Sequence, residues 1–370
     1  MNTTCKSLLL HISAPVIFFL FSCEVPKNEL TDKEVVEFAK RVESFANARD
    51  MKSLNETFDK EAFGQKMNLP ATQNAKDYIA GINQKLELGT LLFQQSKNIQ
   101  YEYLHHYMKE GVHHLIFRFA GKNEGLNYHD FEVGRYKKDQ CRFTDMFLYT
   151  TGENYSETVR NLFYETGLDP DAYKDIVIFK ENDLYRLQRL RYYMQQKDYP
   201  AAKNEFDQLS LTAQQLRFIQ IQHILICSRI SNDEQVKSIE SFKKLFPDEK
   251  RLGLLFLDGY FINEDYNKAL ECINQIDSAV MGDPYLHFYR YNIYTRMNEK
   301  DKALKSLEVS VAQTKNFEDA ILQLISEYLA RNENLKADPL VKRFRAGKKF
   351  NQEQLDLLLQ SYPSYVEKAK

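Results

Sequence analysis

Apolar and polar positions alternate with two different periods along this chain. Thr31-Asp32-Lys33-Glu34 reads as a helix start, a capping residue followed three positions later by an acid. Val35, Phe38, Val42 and Phe45 follow at helical spacing, and helical patterning continues over 51–67 and 75–93. The period then shortens towards two. Residues 99–107, 112–120, 126–136 and 141–150 read as strands, separated by turns at Gly111, 121–125 and 137–139. Successive strands with short turns form an antiparallel meander, so 31–152 is expected to be an α+β domain whose helices cover one sheet face. From Asp183 onward every segment is helical again.

This last stretch repeats. Lys197-Asp198-Tyr199-Pro200-Ala201-Ala202, Glu264-Asp265-Tyr266-Asn267-Lys268-Ala269, Asn298-Glu299-Lys300-Asp301-Lys302-Ala303 and Asn332-Glu333-Asn334-Leu335-Lys336-Ala337 share one pattern. The small residues Ala202, Val236, Ala269, Ala303 and Ala337 stand 34, 33, 34 and 34 apart, and nine positions before them stand Tyr193, Cys227, Tyr260, Tyr294 and Tyr328. Period and columns resemble tetratricopeptide (TPR) repeats over 183–370. That resemblance implies helical hairpins in which a small side chain on the second helix lets the first approach closely. Asp338-Pro339 reads as the cap and first position of a late-starting helix, and 352–359 as a closing helix. A helix over 155–166, within a linking segment 153–182, is expected to tie the two halves together.

Composition narrows the class. The 370 residues suffice for two domains, and 43% hydrophobic with 28% charged residues is the balance of a folded protein. With 50 basic and 52 acidic side chains the net charge is -2, which offers no footprint for nucleic acid. Trp is absent, so 23 Tyr and 25 Phe must supply the large-volume packing. Residues 1–22 read as a signal segment, with Lys6 preceding an apolar run over 8–21. Its end, Leu20-Phe21-Ser22-Cys23, resembles the lipobox of bacterial lipoproteins. The resemblance implies acylation of Cys23, a tether over 23–30, and a membrane-held protein of the cell envelope, anchored to the outer membrane. Cys141, Cys227 and Cys272 are an odd set without metal or redox spacing and read as buried thiols.

Helices followed by long antiparallel strands over 31–152 are similar to the cone-shaped NTF2-like fold. By that resemblance His129, Asp130, Glu132 and Asp145, with Tyr128, line a hollow between helices and sheet. The TPR resemblance places Arg191, Arg229, Phe288, Asn292 and Arg296 on a concave groove, an apolar stripe flanked by arginines and suited to a peptide with apolar anchors and a carboxylate. His105-His106 and His113-His114 flank a turn; a turn at Lys109-Glu110 sets two imidazoles on each sheet face, and a turn one residue later separates the pairs. Neither a metal nor a cofactor is expected from them, since zinc usually takes three or four converging ligands. No Gly-rich phosphate loop, HExxH or GxSxG string is present, and no catalytic residue is assigned. Lys342, Arg343, Arg345, Lys348 and Lys349 read as a solvated helix face. The expected function is an envelope-anchored scaffold for a protein or peptide. The alternatives are a small-molecule-binding or weakly catalytic protein working through the hollow, and a component of an outer-membrane assembly machine.

Overall fold

The computed structural model describes residues 29–93, 99–121, 125–137, 140–166, 181–249, 251–347 and 350–368. The expected signal segment, Cys23, most of the tether, residues 167–180, and Lys348 and Lys349 lie outside the described residues. Five helices precede a five-stranded antiparallel sheet, and a helical region follows it. Among the described residues no helix is long and apolar enough to cross a membrane.

Helix α1 (Asp32–Ala48) opens with the expected capping box: Thr31 Oγ1 accepts from the Glu34 amide, and Glu34 Oε2 accepts from the Thr31 amide. Its buried stripe, Val35, Phe38, Ala39, Val42 and Ala46, packs against the sheet. The pattern over 51–67 divides into α2 (Met51–Glu56) and α3 (Lys60–Lys66). Between them the chain extends to pair with a strand: the Asp59 amide donates to Phe143 O, and the Phe143 amide to Thr57 O, each at 2.8 Å. The pattern over 75–93 likewise divides into α4 (Gln73–Lys85) and α5 (Leu88–Phe93), breaking where Leu86 turns extended.

Strands β1 (Ile99–Lys109), β2 (Val112–Gly121), β3 (Gly125–Tyr136), β4 (Gln140–Leu148) and β5 (Glu153–Asn154) pair in sequence order. Two register shifts re-phase the faces, one in β1 between Tyr103 and His105, the other in β3–β4 between Glu132 and Val133. Tyr101 and Tyr103 therefore face α1, whereas His105 and Tyr107 face the opposite way. The first face joins Leu115, Phe117, Phe131, Phe143 and Met146 to the N-terminal helices. Helix α6 (Tyr155–Glu165) then leads away from β5.

The helical region is built of hairpins. They are α7 (Glu181–Gln195) with α8 (Tyr199–Asp207), α10 (Arg217–Cys227) with α11 (Asn232–Leu245), and α12 (Gly253–Ile262) with α13 (Tyr266–Ala279). Next come α14 (Pro284–Arg296) with α15 (Lys300–Gln313) and α16 (Glu318–Ala330) with α17 (Asn334–Ala346). A one-turn α9 (Leu211–Gln214) is inserted after the first hairpin, and α18 (Gln352–Gln360) and α19 (Pro363–Lys368) follow the last. The N-caps of the second helices, Asp198, Ser231, Asp265, Glu299 and Glu333, stand 33, 34, 34 and 34 residues apart.

Four residues after each cap lies the buried close-contact position: Ala202, Gln235, Ala269, Ala303 and Ala337. In the second hairpin that residue is Gln235 and not Val236, which is only half-buried. The reason is the turn. Four hairpins turn through a left-handed residue, Lys197, Glu264, Asn298 or Asn332, with φ of 58–60°. The second has no such residue: Ser231 is extended and caps by its own hydroxyl, so the phase slips by one. In the last three hairpins the cap acid pairs with a lysine (Lys268, Lys302, Lys336) that also lies over the column tyrosine, Tyr260, Tyr294 or Tyr328, at 5.2–5.6 Å.

Pro339 lies inside α17 rather than at its start. Ala337 and Phe344, both fully buried, set the helix register against α16 and the cluster around it. Leu335 and Pro339 face solvent, so water reaches the carbonyl that the proline ring cannot serve.

The second sheet face is covered too, contrary to the one-sided expectation. Ile116, Leu126, Tyr128, Phe147 and Tyr149 share one core with Ile224, Phe242, Leu252, Phe256, Tyr285 and Leu286 of the hairpins. The joining polar contacts come from the N-terminal ends of the first helices and the loops before them. Arg217 donates to Gly152 O, His105 Nε2 lies 3.2 Å from Gly282 O, and Gln100 reaches Asn316 O at 3.3 Å. The sheet thus sits on the N-terminal ends of α10, α12, α14 and α16.

Gly152 marks the closest approach: its φ is 69°, and an added Cβ would overlap Leu252. Gly152→Ala is expected to lose about 2–4 kcal/mol from the combined backbone strain and overpacking. Urea unfolding monitored by far-UV circular dichroism measures it, and a loss below about 0.5 kcal/mol would mean the sheet does not seat here.

Candidate functional site

Helix–sheet packing ties each of the four hollow residues to its own partner. His129, on the α1-facing side, is buried, 3.2 Å from Tyr101 Oη and 3.3 Å from Asn127 Nδ2. Desolvation depresses its pKa to about 3, so the imidazole is neutral. Around it Tyr101, Phe117 and Phe131 pack ring against ring, occupying the space a ligand would need. Asp130 points to the other face. Glu132 is ion-paired to Lys66 of α3. Asp145 accepts from the Ser156 amide and hydroxyl and so anchors α6; burial raises its pKa to about 6. Glu132 and Asp145 are cross-strand neighbours, each held by its own partner, while His129 and Asp130 point to opposite faces, so the four do not form one site.

The stack-facing side of the sheet carries two polar clusters that the linear pattern did not bring together. Arg118, 3% exposed, pairs with Glu102 of its own sheet and with Asp283 of the loop before α14, while Tyr285 lies under its guanidinium at 3.6 Å. Tyr128 Oη donates to the other Asp283 oxygen at 2.6 Å. Nearby, Asp130 accepts from Tyr107 Oη at 2.5 Å and lies 3.0 Å from His114 Nδ1. Asp283-Pro284 was readable as a helix start. Nothing local marked its basic partner, which lies 165 positions earlier.

Of the expected groove residues, Arg191 is ion-paired to Glu165 at the end of α6. Phe288 is packed, with its ring 4.9 Å from Phe317. Asn292 is half-buried, and Arg229 and Arg296 are exposed with no ion pair among the described residues. The row's member in the second hairpin, Arg229, keeps its phase because the slip falls in the turn, but it lies past the end of α10. The row itself, Gln195, Ile262, Arg296 and Ala330, is exposed, and Asp258 beside it is exposed as well. The apolar column behind it is packed: Leu187 and Ile221 are buried, and Leu254, Phe288 and Leu322 lie against the cores.

The other candidates are accounted for by packing. Cys141, Cys227 and Cys272 are buried free thiols, and burial raises Cys227 to about 11 and Cys272 to about 12, which leaves them unreactive. Arg343 donates to carbonyls at the end of α15, and Arg345 pairs with Asp356.

The depressed His129 value has a signed consequence. The folded state keeps the ring neutral, so its stabilising contribution is present above the unfolded value near 6.5 and is lost progressively as pH falls towards 3. Replacing His129 by Gln is expected to flatten the stability loss between pH 6.5 and 4, measured as urea midpoints across that range; an unchanged slope would assign the acid sensitivity elsewhere. Against this geometry, comparison with protein-family models and with curated proteins finds no match for the chain.

Proposed function

We propose that this protein is an envelope-anchored scaffold that binds a protein or peptide on the first-helix face of a TPR-like stack. On this reading the N-terminal half is an NTF2-like platform whose hollow is given over to packing. Acylation at Cys23 would hold the assembly at the membrane.

One observation carries the reading: the row Gln195, Ile262, Arg296 and Ala330 stays exposed while both sheet faces are covered. Ile262, 53% exposed, sits in that row with the unpaired Arg296. An apolar side chain followed by a carboxylate on an extended peptide matches that pair, the carboxylate taking the guanidinium fork. The stack supports such a role because its hairpins share a common period and present equivalent positions at regular intervals.

The mature protein should retain a partner from detergent-solubilised envelope. Arg296→Glu combined with Ile262→Asp should weaken that retention about tenfold or more. Arg229→Glu should have a smaller effect, because Arg229 lies in the turn past the end of α10. Mass spectrometry of the captured proteins, followed by titration of the partner's acidic segment, reads both. Capture unaffected by the double variant would overturn the reading.

A further inference from the structure

The far edge of the sheet holds a cluster that the scaffold reading does not use. The β1–β2 turn is Glu110-Gly111, the later of the two alternatives, so Lys109 pairs with Val112 and His106 with Leu115. His106 and His113 are then diagonal neighbours rather than opposed ones. The later turn does not separate this pair as expected: the shift preserves the alternation, so both remain on one face. Their rings stack at 5.0 Å, with His106 Nε2 2.8 Å from His113 Nδ1. Asp32, the first residue of α1, completes the group: its Oδ1 is 3.7 Å from His106 Nε2 and 3.9 Å from His113 Nδ1.

We propose that His106, His113 and Asp32 bind one zinc-class divalent ion, which fastens the start of α1 to the β1–β2 hairpin. The three ligand atoms lie within 4.8 Å of one another. Zinc–nitrogen and zinc–oxygen bonds of about 2.0–2.2 Å place tetrahedral ligand atoms roughly 3.4 Å apart. The observed separations of 2.8, 3.7 and 3.9 Å bracket that edge, so sub-ångström side-chain adjustments close the site.

A second observation points the same way. His113 Nε2 lies 2.9 Å from Leu30 O, and a proton there leaves Nδ1 as a lone pair aimed at the site. Donation of the remote ring nitrogen to a carbonyl is the usual support of a metal-binding imidazole. Two imidazoles and one carboxylate select zinc, copper or nickel over magnesium and calcium. Asp32, with a side chain 76% exposed, leaves the fourth position open to water. Asp32 opens α1, so the ion would brace the start of the N-terminal helices against the sheet.

Tag-free mature protein, dialysed against zinc and then metal-free buffer, should retain one equivalent by elemental analysis. Cobalt(II) substitution should give the visible absorption of a tetrahedral nitrogen–oxygen site. His106→Ala and His113→Ala should abolish both signals. Asp32→Asn, an exposed change that leaves the fold intact, should weaken zinc at least tenfold, while His105→Ala on the opposite face leaves it unchanged. Absence of stoichiometric zinc from the wild-type protein, or wild-type affinity in Asp32→Asn and the histidine variants, would overturn the proposal.

Discussion

The Arg118 guanidinium lies where the sheet meets the hairpin stack, and it is almost fully buried. A charge in that position is tolerable only when its partners are held in place, since desolvation costs several kcal/mol per ion. One partner, Glu102, comes from the neighbouring strand, and the other, Asp283, from the stack. Asp283 in turn accepts from Tyr128 and caps α14 through the Tyr285 amide. Tyr285 then lies against the guanidinium. A different seating would bury Arg118 or Asp283 without its partner, so this contact specifies how the sheet seats on the stack. The surrounding apolar cluster, Ile116, Phe147, Leu252 and Leu286 among it, provides the area that makes the seating favourable.

This seating decides which surfaces remain. The inner sheet face is filled by the N-terminal helices and a dense set of aromatic rings, consistent with a chain rich in Phe and Tyr and lacking Trp. The outer face rests on the loops before α10, α12, α14 and α16. Among the described residues, the surfaces left open include the first-helix row of the stack and the turn edge of the sheet, where the two proposed roles reside. They are separate surfaces, and the failure of one proposal leaves the other standing.

Most elements were legible because their signals are local. The capping box at Thr31, the four long strands and the hairpin caps each follow from residues a few positions apart. The hollow residues were less legible. His129 and Asp130 are adjacent in sequence and point to opposite faces, and Asp145 is taken up by α6. A family resemblance supplies the position of a cavity but says nothing of whether rings fill it. The misplacement of Val236 has the same origin: one turn without a left-handed residue shifts a helix by one position, and a column read by residue size follows the wrong side chain.

The order of elements, the antiparallel meander and the repeating hairpins were determined by the sequence itself, through periodicity, capping and turn chemistry that act within a few residues. The tertiary structure alone decided that the sheet is covered on both faces, that Arg118 meets Asp283, and that His106 and His113 converge on Asp32. Each of these joins residues far apart along the chain, and no local preference encodes such a meeting. It arises when apolar faces are buried against one another, and the polar groups carried with them must then find partners.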